Sequence, residues 1–226
     1  MAKKQDKSDV LVDFEEVTGN VEGFFEKNKN LVVGVIAALL IGVGGYFAYM
    51  NLYKLPRETE AAEQMYQAQF QFDKDSFNLA LNNPGGGYDG FLGIIDNYSG
   101  TNVANLAHYY AAVSYLKMGN LDEALNYIED YSPDGAVMPV MKNGVLGDIY
   151  SEKNELDKAA EYYKKAADLA ADQSDFLAAY YLLKYGELQE VLGDKKAALA
   201  AYEKIQKEYP DAPDARKIDM FIEKLK

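Results

Sequence analysis

Three features of the sequence carry side chains that could do chemistry, and each lacks a residue that its chemistry requires. His108 is the only histidine, and the chain has no cysteine with which it could form a nucleophile–base pair. Asp73 and Asp75 begin like a calcium-binding loop, but its twelfth position is Pro84 instead of glutamate. Residues 85–87 are a glycine run without the Lys-Ser or Lys-Thr of a phosphate loop. The sequence therefore predicts no enzyme, no cofactor and no metal site.

The first element along the chain is an apolar segment. Residues 30–53 contain no charged side chain, and residues 31–50 are almost wholly apolar. Twenty helical residues span about 30 Å, which is the thickness of the hydrocarbon layer. A cleaved signal peptide is the competing interpretation, since residues 42–44 form a small-x-small site. The residues before the segment are too many and too acidic for a signal peptide, so we predict an uncleaved transmembrane helix at residues 31–53.

Lysines predict the orientation of this span. Lys27 and Lys29 on one flank are balanced by Lys54 and Arg57 on the other, but the tail of residues 1–30 carries five lysines in all. A long domain that follows a span crosses largely regardless of its charge. We therefore expect a cytoplasmic tail and a domain outside the cytosol, in the periplasm if the cell has two membranes. The absence of cysteine is compatible with an oxidising compartment.

The tail has an apolar pattern of its own. Five residues recur at intervals of four, three, four and three: Val10, Phe14, Val17, Val21 and Phe24. In a helix they would form one stripe, which could lie on the inner membrane surface or contact a partner. Gly19 and Gly23 would weaken such a helix, and the acidic charge does not suit anionic lipid. A partly ordered tail is the alternative.

One face of the predicted span carries small residues. Gly34, Ala38 and Gly42 recur every four residues, with Gly45 one turn further on. Small residues at this spacing let two helix backbones approach closely in lipid, which predicts a face for a partner helix. The alternative is that glycine is simply common in membrane helices.

The part of the chain after the span is strongly acidic. Residues 56–226 contain 17 basic and 29 acidic side chains, a balance of 17 − 29 = −12. A surface of this charge repels nucleic acid and anionic lipid. We therefore exclude nucleic-acid binding.

A repeat unit occupies most of this acidic part. Similar runs of small and aromatic residues lead to Ala124, Ala159 and Ala198, which are 35 and then 39 residues apart. Such a period is typical of a helix-turn-helix unit stacked on copies of itself. The sequence thus predicts an all-α solenoid that acts as a scaffold for other molecules.

The repeats resemble the tetratricopeptide family, in which two antiparallel helices pack through small and large residues at fixed positions. In the second repeat those positions hold Gly147, Tyr150, Ala159, Tyr163 and Ala166. The resemblance implies a domain of residues 54–226, with a divergent first repeat at about 57–104, repeats at about 105–138, 140–173 and 179–212, and a capping helix at 212–225.

In the tetratricopeptide family, ligands usually lie along the first helix of each pair. By this resemblance the concave face would present Leu106, Tyr109, Val113, Leu116, Met141, Gly144, Asp148, Tyr180, Leu183 and Glu187. Such a groove is apolar and rich in tyrosine, and it suits an extended or helical segment of another protein. The alternative is that several of these side chains simply pack within the array.

The layout of tail, span and repeats resembles the YfgM-type ancillary subunits of the SecYEG translocon. Residues 26–30, which lead into the span, and residues 104–131 carry most of the likeness. The resemblance implies an inner-membrane protein whose partners are translocon subunits, a membrane-anchored periplasmic foldase or chaperone, and exported chains. An assembly factor or structural subunit of another envelope, secretion or motility complex is the alternative.

Overall fold

The computed structural model describes residues 26–226, which form helices without a β-strand. The predicted all-α class is thus confirmed for this part of the chain. The predicted stripe of the tail, formed by Val10, Phe14, Val17, Val21 and Phe24, lies outside the described residues. The chain divides into two compact units, of which the first ends at Pro56 and the second comprises Arg57–Lys226.

The helix of the first unit, α1, comprises Lys29–Tyr49 and is followed by a short π-helix, Met50–Lys54. No residue of α1 is buried, although its side chains after Lys29 are nearly all apolar. Within the described residues, the stretch Lys29–Phe72 holds the one helix that is long and apolar enough to cross a membrane. This finding rests on length and composition alone.

The four small residues proposed for helix packing are all exposed on α1. They are Gly34, Ala38, Gly42 and Gly45. A Cβ atom added at any of the three glycines would meet no atom within 4 Å. This face of α1 is open to a second helix, and its role in helix packing stays a prediction.

The second unit begins within the first turn of the helix Leu55–Phe72, and its first helices have their own hydrophobic core. They are α2 (Leu55–Phe72), α3 (Phe77–Asn82) and α4 (Phe91–Asn97). Met65, Leu81 and Phe91 are buried in this core. A Cβ atom at Gly90 would lie 2.3 Å from the Leu81 carbonyl oxygen, so glycine is required where α4 begins against the end of α3.

Three helix pairs and a terminal helix follow. They are α5 (Asn102–Lys117) with α6 (Leu121–Asp130), α7 (Met138–Glu152) with α8 (Leu156–Ala170), α9 (Asp175–Leu192) with α10 (Lys195–Glu208), and α11 (Ile218–Leu225) after a 3₁₀ turn at Pro213–Lys217. The turns within the pairs contain Gly119, Asn154 and Gly193 at positive φ, where glycine and asparagine are best tolerated. Tight turns of this kind make the two helices of each pair antiparallel.

Small residues in the pairs are required by the aromatic rings opposite them. A Cβ atom at Gly147 would lie 2.5 Å from the ring of Tyr163, and one at Gly186 would lie 2.4 Å from the ring of Tyr202. Contacts this short do not occur between real atoms, so any larger residue would push the helices apart. The small and aromatic positions of the repeat pattern are therefore steric partners across each pair.

Two side chains near the start of α2 bind the backbone at the end of α4 and at the start of α5. The Glu58 carboxylate accepts hydrogen bonds from the amides of Asn102 at 2.9 Å and Val103 at 3.0 Å. Arg57 Nη2 donates to the Asn97 carbonyl at 2.7 Å. Because the first amides of a helix have no partner within it, Glu58 caps α5 from 44 residues away and complements its dipole.

Loss of this cap is expected to destabilise the second unit. Glu58→Ala leaves two amides of α5 without a protein acceptor and should reduce the free energy of unfolding by about 1–2 kcal/mol. Denaturant unfolding of the full chain in detergent measures the change. Glu63→Ala, at an exposed position of the same helix, is the control. Equal stability of the two variants would contradict the capping role.

Candidate partner-binding groove

A groove runs along the first helices of the three pairs. Its apolar part has a volume of about 320 Å³ and is lined by Tyr109, Val113, Leu116, Lys117, Met141, Val145, Asp148, Phe176, Leu177, Tyr180 and Tyr181. The second helices lie behind, since the first helices pack on them through the small residues described above. Side chains on the opposite face of α5, α7 and α9 are therefore left to line an open surface.

A more polar cavity of about 610 Å³ adjoins the apolar part. The two share Leu116, Lys117, Asp148 and Tyr180, so they form one continuous groove. The polar part adds Gly119, Ser151, Glu152, Tyr163 and Lys184. The groove thus offers apolar contact at one end and charged side chains at the other.

An ion pair marks the polar end. Asp148 Oδ1 accepts hydrogen bonds from Lys184 Nζ at 2.5 Å and from the Tyr163 hydroxyl at 2.7 Å. The Lys184 ammonium also lies 4.9 Å from the ring centre of Tyr163 and 5.4 Å from that of Tyr180. These contacts hold α7, α8 and α9 in one arrangement at the floor of the groove.

The pKa values of Lys184 and Tyr163 keep the protonation states of these two groups fixed near neutral pH. Burial alone would lower the pKa of Lys184, but the hydrogen bond and the charge of Asp148 outweigh it and raise that pKa above its ordinary value. Burial, together with the Asp148 carboxylate, raises the pKa of the Tyr163 hydroxyl. The lysine therefore stays charged and the tyrosine stays neutral.

Two tyrosines at the apolar end, Tyr109 and Tyr181, are also neutral. Burial, with smaller contributions from Tyr110, Tyr131 and Asp148, raises the pKa of Tyr109 to about 12. Burial and Asp148 likewise raise the pKa of Tyr181. These side chains offer apolar rings with a polar hydroxyl and carry no charge.

Six of the ten residues proposed for the groove line its apolar part, and Glu187 lines neither part. The six are Tyr109, Val113, Leu116, Met141, Asp148 and Tyr180. Leu106 instead packs against the N-terminal hydrophobic core, and Leu183 packs half-buried against the main core of the repeats. Asp148 lines both parts of the groove, whereas Gly144 is covered by the hydroxyl of Tyr181, which would lie 2.0 Å from an added Cβ.

Several lining residues were not predicted. Phe176 and Leu177 belong to the first turn of α9, which begins at Asp175 and therefore before the assumed start of the third repeat at residue 179. The signal was present in the sequence, because Ser174 is a good N-cap and its hydroxyl accepts from the Leu177 amide at 3.3 Å. Phe176 is 52 % exposed, which makes it the most accessible aromatic ring of the groove.

His108 lies outside the groove. It lines a separate cavity of about 520 Å³ with Thr101 and Asp130, and its ring centre is 5.9 Å from that of Tyr127. Its Nδ1 is buried and has no hydrogen-bond partner among the described residues. No group of three or more potential metal-binding side chains occurs in residues 26–226.

Acidification is expected to destabilise the protein through His108. Burial lowers the pKa of His108, and the charge of Asp130 opposes this only in part. As the pH falls, His108 therefore becomes protonated at a higher pH in the unfolded state than in the folded state. Stability should decline below about pH 6.5, by at most about 1.4 kcal/mol per pH unit for this one group.

Thermal melting at about pH 7.5 and about pH 5.5 measures this contribution. His108→Phe keeps a ring beside Tyr127 and cannot titrate. The melting temperature of this variant should therefore fall less between the two pH values than that of the original protein. An equal loss would show that other groups cause the acid sensitivity.

The stacked antiparallel pairs define the class of protein as a helical-repeat scaffold. Two family profiles, both described as tetratricopeptide repeat, match the chain, one at residues 106–131 and 180–212 and the other at residues 143–173. These matches fall on the three helix pairs, so the second unit contains tetratricopeptide repeats that serve protein–protein interaction. No curated protein matches the chain.

Proposed function

We propose that this protein is a non-enzymatic scaffold, anchored in a membrane by α1, whose groove binds a segment of another protein. The observation that carries the proposal is the continuous groove on α5, α7 and α9, with an accessible aromatic ring at its apolar end and a fixed ion pair at its polar end. The tetratricopeptide repeats indicate protein–protein interaction as the class of function.

The size of the groove suits side chains of a single segment. Its apolar part, at about 320 Å³, lies at the small end of the range for ligand sites. It can receive an aliphatic or aromatic anchor, whose burial contributes about 1.5–3 kcal/mol. Phe176, Tyr180 and Val113 would contact such an anchor directly.

The polar part of the groove would fix the register of the bound segment. Only Oδ1 of Asp148 receives hydrogen bonds from the described residues, and the side chain is 36 % exposed. Oδ2 can therefore accept from a backbone amide or a polar side chain of the partner. A hydrogen bond to a charged group contributes about 1.5–3 kcal/mol and also selects direction.

The likeness to YfgM-type subunits supplies a finer proposal. The protein would lie in a bacterial inner membrane, with its N-terminus in the cytoplasm and its repeats in the periplasm. Its partners would be translocon subunits, a membrane-anchored periplasmic foldase or chaperone, and exported chains. One apolar helix near the N-terminus, followed by a large domain, supports this layout.

Gentle detergent extraction after chemical cross-linking tests the finer proposal. We expect translocation-channel subunits and a periplasmic foldase or chaperone among the cross-linked proteins. Recovery of another envelope, secretion or motility complex alone would replace this role with that of an assembly factor or structural subunit. Absence of any cross-linked protein would contradict the scaffold function itself.

A further inference from the structure

Aromatic side chains are concentrated at the C-terminal end of the helical segment of residues 29–54. Residues 31–45 contain none, and then Tyr46, Phe47, Tyr49 and Tyr53 follow within eight residues. We call these four residues the aromatic band. All four are more than half exposed, and the rings of Tyr49 and Tyr53 lie 5.6 Å apart, one above the other along the helix.

The position of the band matches the edge of a lipid layer. Fifteen residues separate Leu31 from Tyr46, which corresponds to about 22 Å of helix, and Tyr53 lies about 10 Å further on. A hydrocarbon layer of about 30 Å that begins at Leu31 therefore ends within the band. Lys54 is the first charged side chain beyond it.

Polar groups appear in the same place. Asn51 Nδ2 donates to the Phe47 carbonyl at 2.8 Å, where the helix changes from α to π hydrogen bonding. The Phe47 carbonyl also accepts from the Met50 amide, so Asn51 adds a second, polar donor at this end of the helix. An environment that holds water and polar groups suits this segment better than pure hydrocarbon does.

The band is too wide for a single helix–helix contact. At about 100° per residue, Tyr46, Phe47 and Tyr49 spread over about 160° of the helix circumference. Two packed helices meet along a narrower seam. Lipid that surrounds the helix explains this angular range of the rings better than contact with one protein partner does.

We propose that the aromatic band lies in the headgroup region of a phospholipid bilayer and sets the depth of the span there. Tyrosine suits this region because its ring is apolar and its hydroxyl binds water and lipid oxygens. The Lys54 ammonium would reach the lipid phosphates by extending its side chain. This inference rests on the proposed anchoring by α1.

The chain has no tryptophan, so single tryptophans can report depth without background. Tyr49→Trp places the reporter in the band, and Leu39→Trp places it near the middle of the span. Each full-length variant is reconstituted in vesicles of phosphatidylethanolamine and phosphatidylglycerol whose acyl chains carry bromine at a shallow or a deep position. The ratio of shallow to deep quenching should exceed one for Tyr49→Trp and fall below one for Leu39→Trp.

The two tryptophan positions test the aromatic band and the anchoring by α1 independently. If Leu39→Trp is quenched most by deep bromine, α1 enters the bilayer. If Tyr49→Trp is then also quenched most by deep bromine, or is not quenched, the band proposal is overturned while the proposed anchoring remains. If neither reporter is quenched, α1 does not enter the bilayer, and both proposals fail.

Discussion

Ala159→Asp is expected to reduce the free energy of unfolding by about 3–5 kcal/mol, because it places a charge without a partner in a closed helix contact. Ala159 is wholly buried between α7 and α8, among side chains of the main core. A carboxylate there must either lose its water or separate the two helices. Both outcomes remove packing from the middle pair of the array.

Ala200→Asp is the matched control, because Ala200 is exposed within a helix of a neighbouring pair. Thermal melting and denaturant unfolding of the two full-length variants measure the difference. The control should melt close to the original protein, and Ala159→Asp should melt far below it. Similar melting of the two variants would contradict the assigned packing of α7 on α8.

Phe176→Asp is expected to weaken partner binding by about 2–4 kcal/mol, which is roughly 30-fold to 1000-fold, while the repeats stay folded. The ring is half exposed at the apolar end of the groove, so its loss costs the core little. An acidic side chain in the first turn of α9 also suits the helix dipole. The change therefore acts on the groove and spares the fold.

Met220→Asp controls for the loss of an exposed apolar residue. Met220 is 63 % exposed in the first turn of α11 and does not line the groove. The partner recovered from cross-linked membranes is quantified for the original protein and for both variants, with circular dichroism as the check on helicity. Equal recovery with Phe176→Asp and Met220→Asp would exclude Phe176 from the binding surface.

The sequence predicted the helix pairs because their spacing is local. Ala124, Ala159 and Ala198 recur at a repeat period, and each follows shortly after a turn residue, which is Gly119, Asn154 or Gly193. Pairs of small and aromatic residues such as Gly147 and Tyr163 follow from the same period. Such patterns can be recognised in the sequence because each helix contacts the next one along the chain.

The composition of the groove was harder to predict because it depends on contacts across repeats. Asp148 and Lys184 pair over 36 residues, and no local pattern indicates that their side chains meet. Tyr181 fills the space over Gly144 only because α7 and α9 approach there. The family resemblance placed the predicted groove on α5, α7 and α9, but the side chains that line it also depend on where α9 begins.

The most direct test of the scaffold function is photo-cross-linking from single positions in the full-length protein in its membrane. A photoreactive residue at Val113 lies in the groove, and one at Val191, which is 71 % exposed, lies outside it. We predict a cross-link to a partner protein from Val113 that is lost in the Phe176→Asp variant and is absent from Val191. A partner cross-linked from Val191 and never from Val113 would contradict binding in the groove.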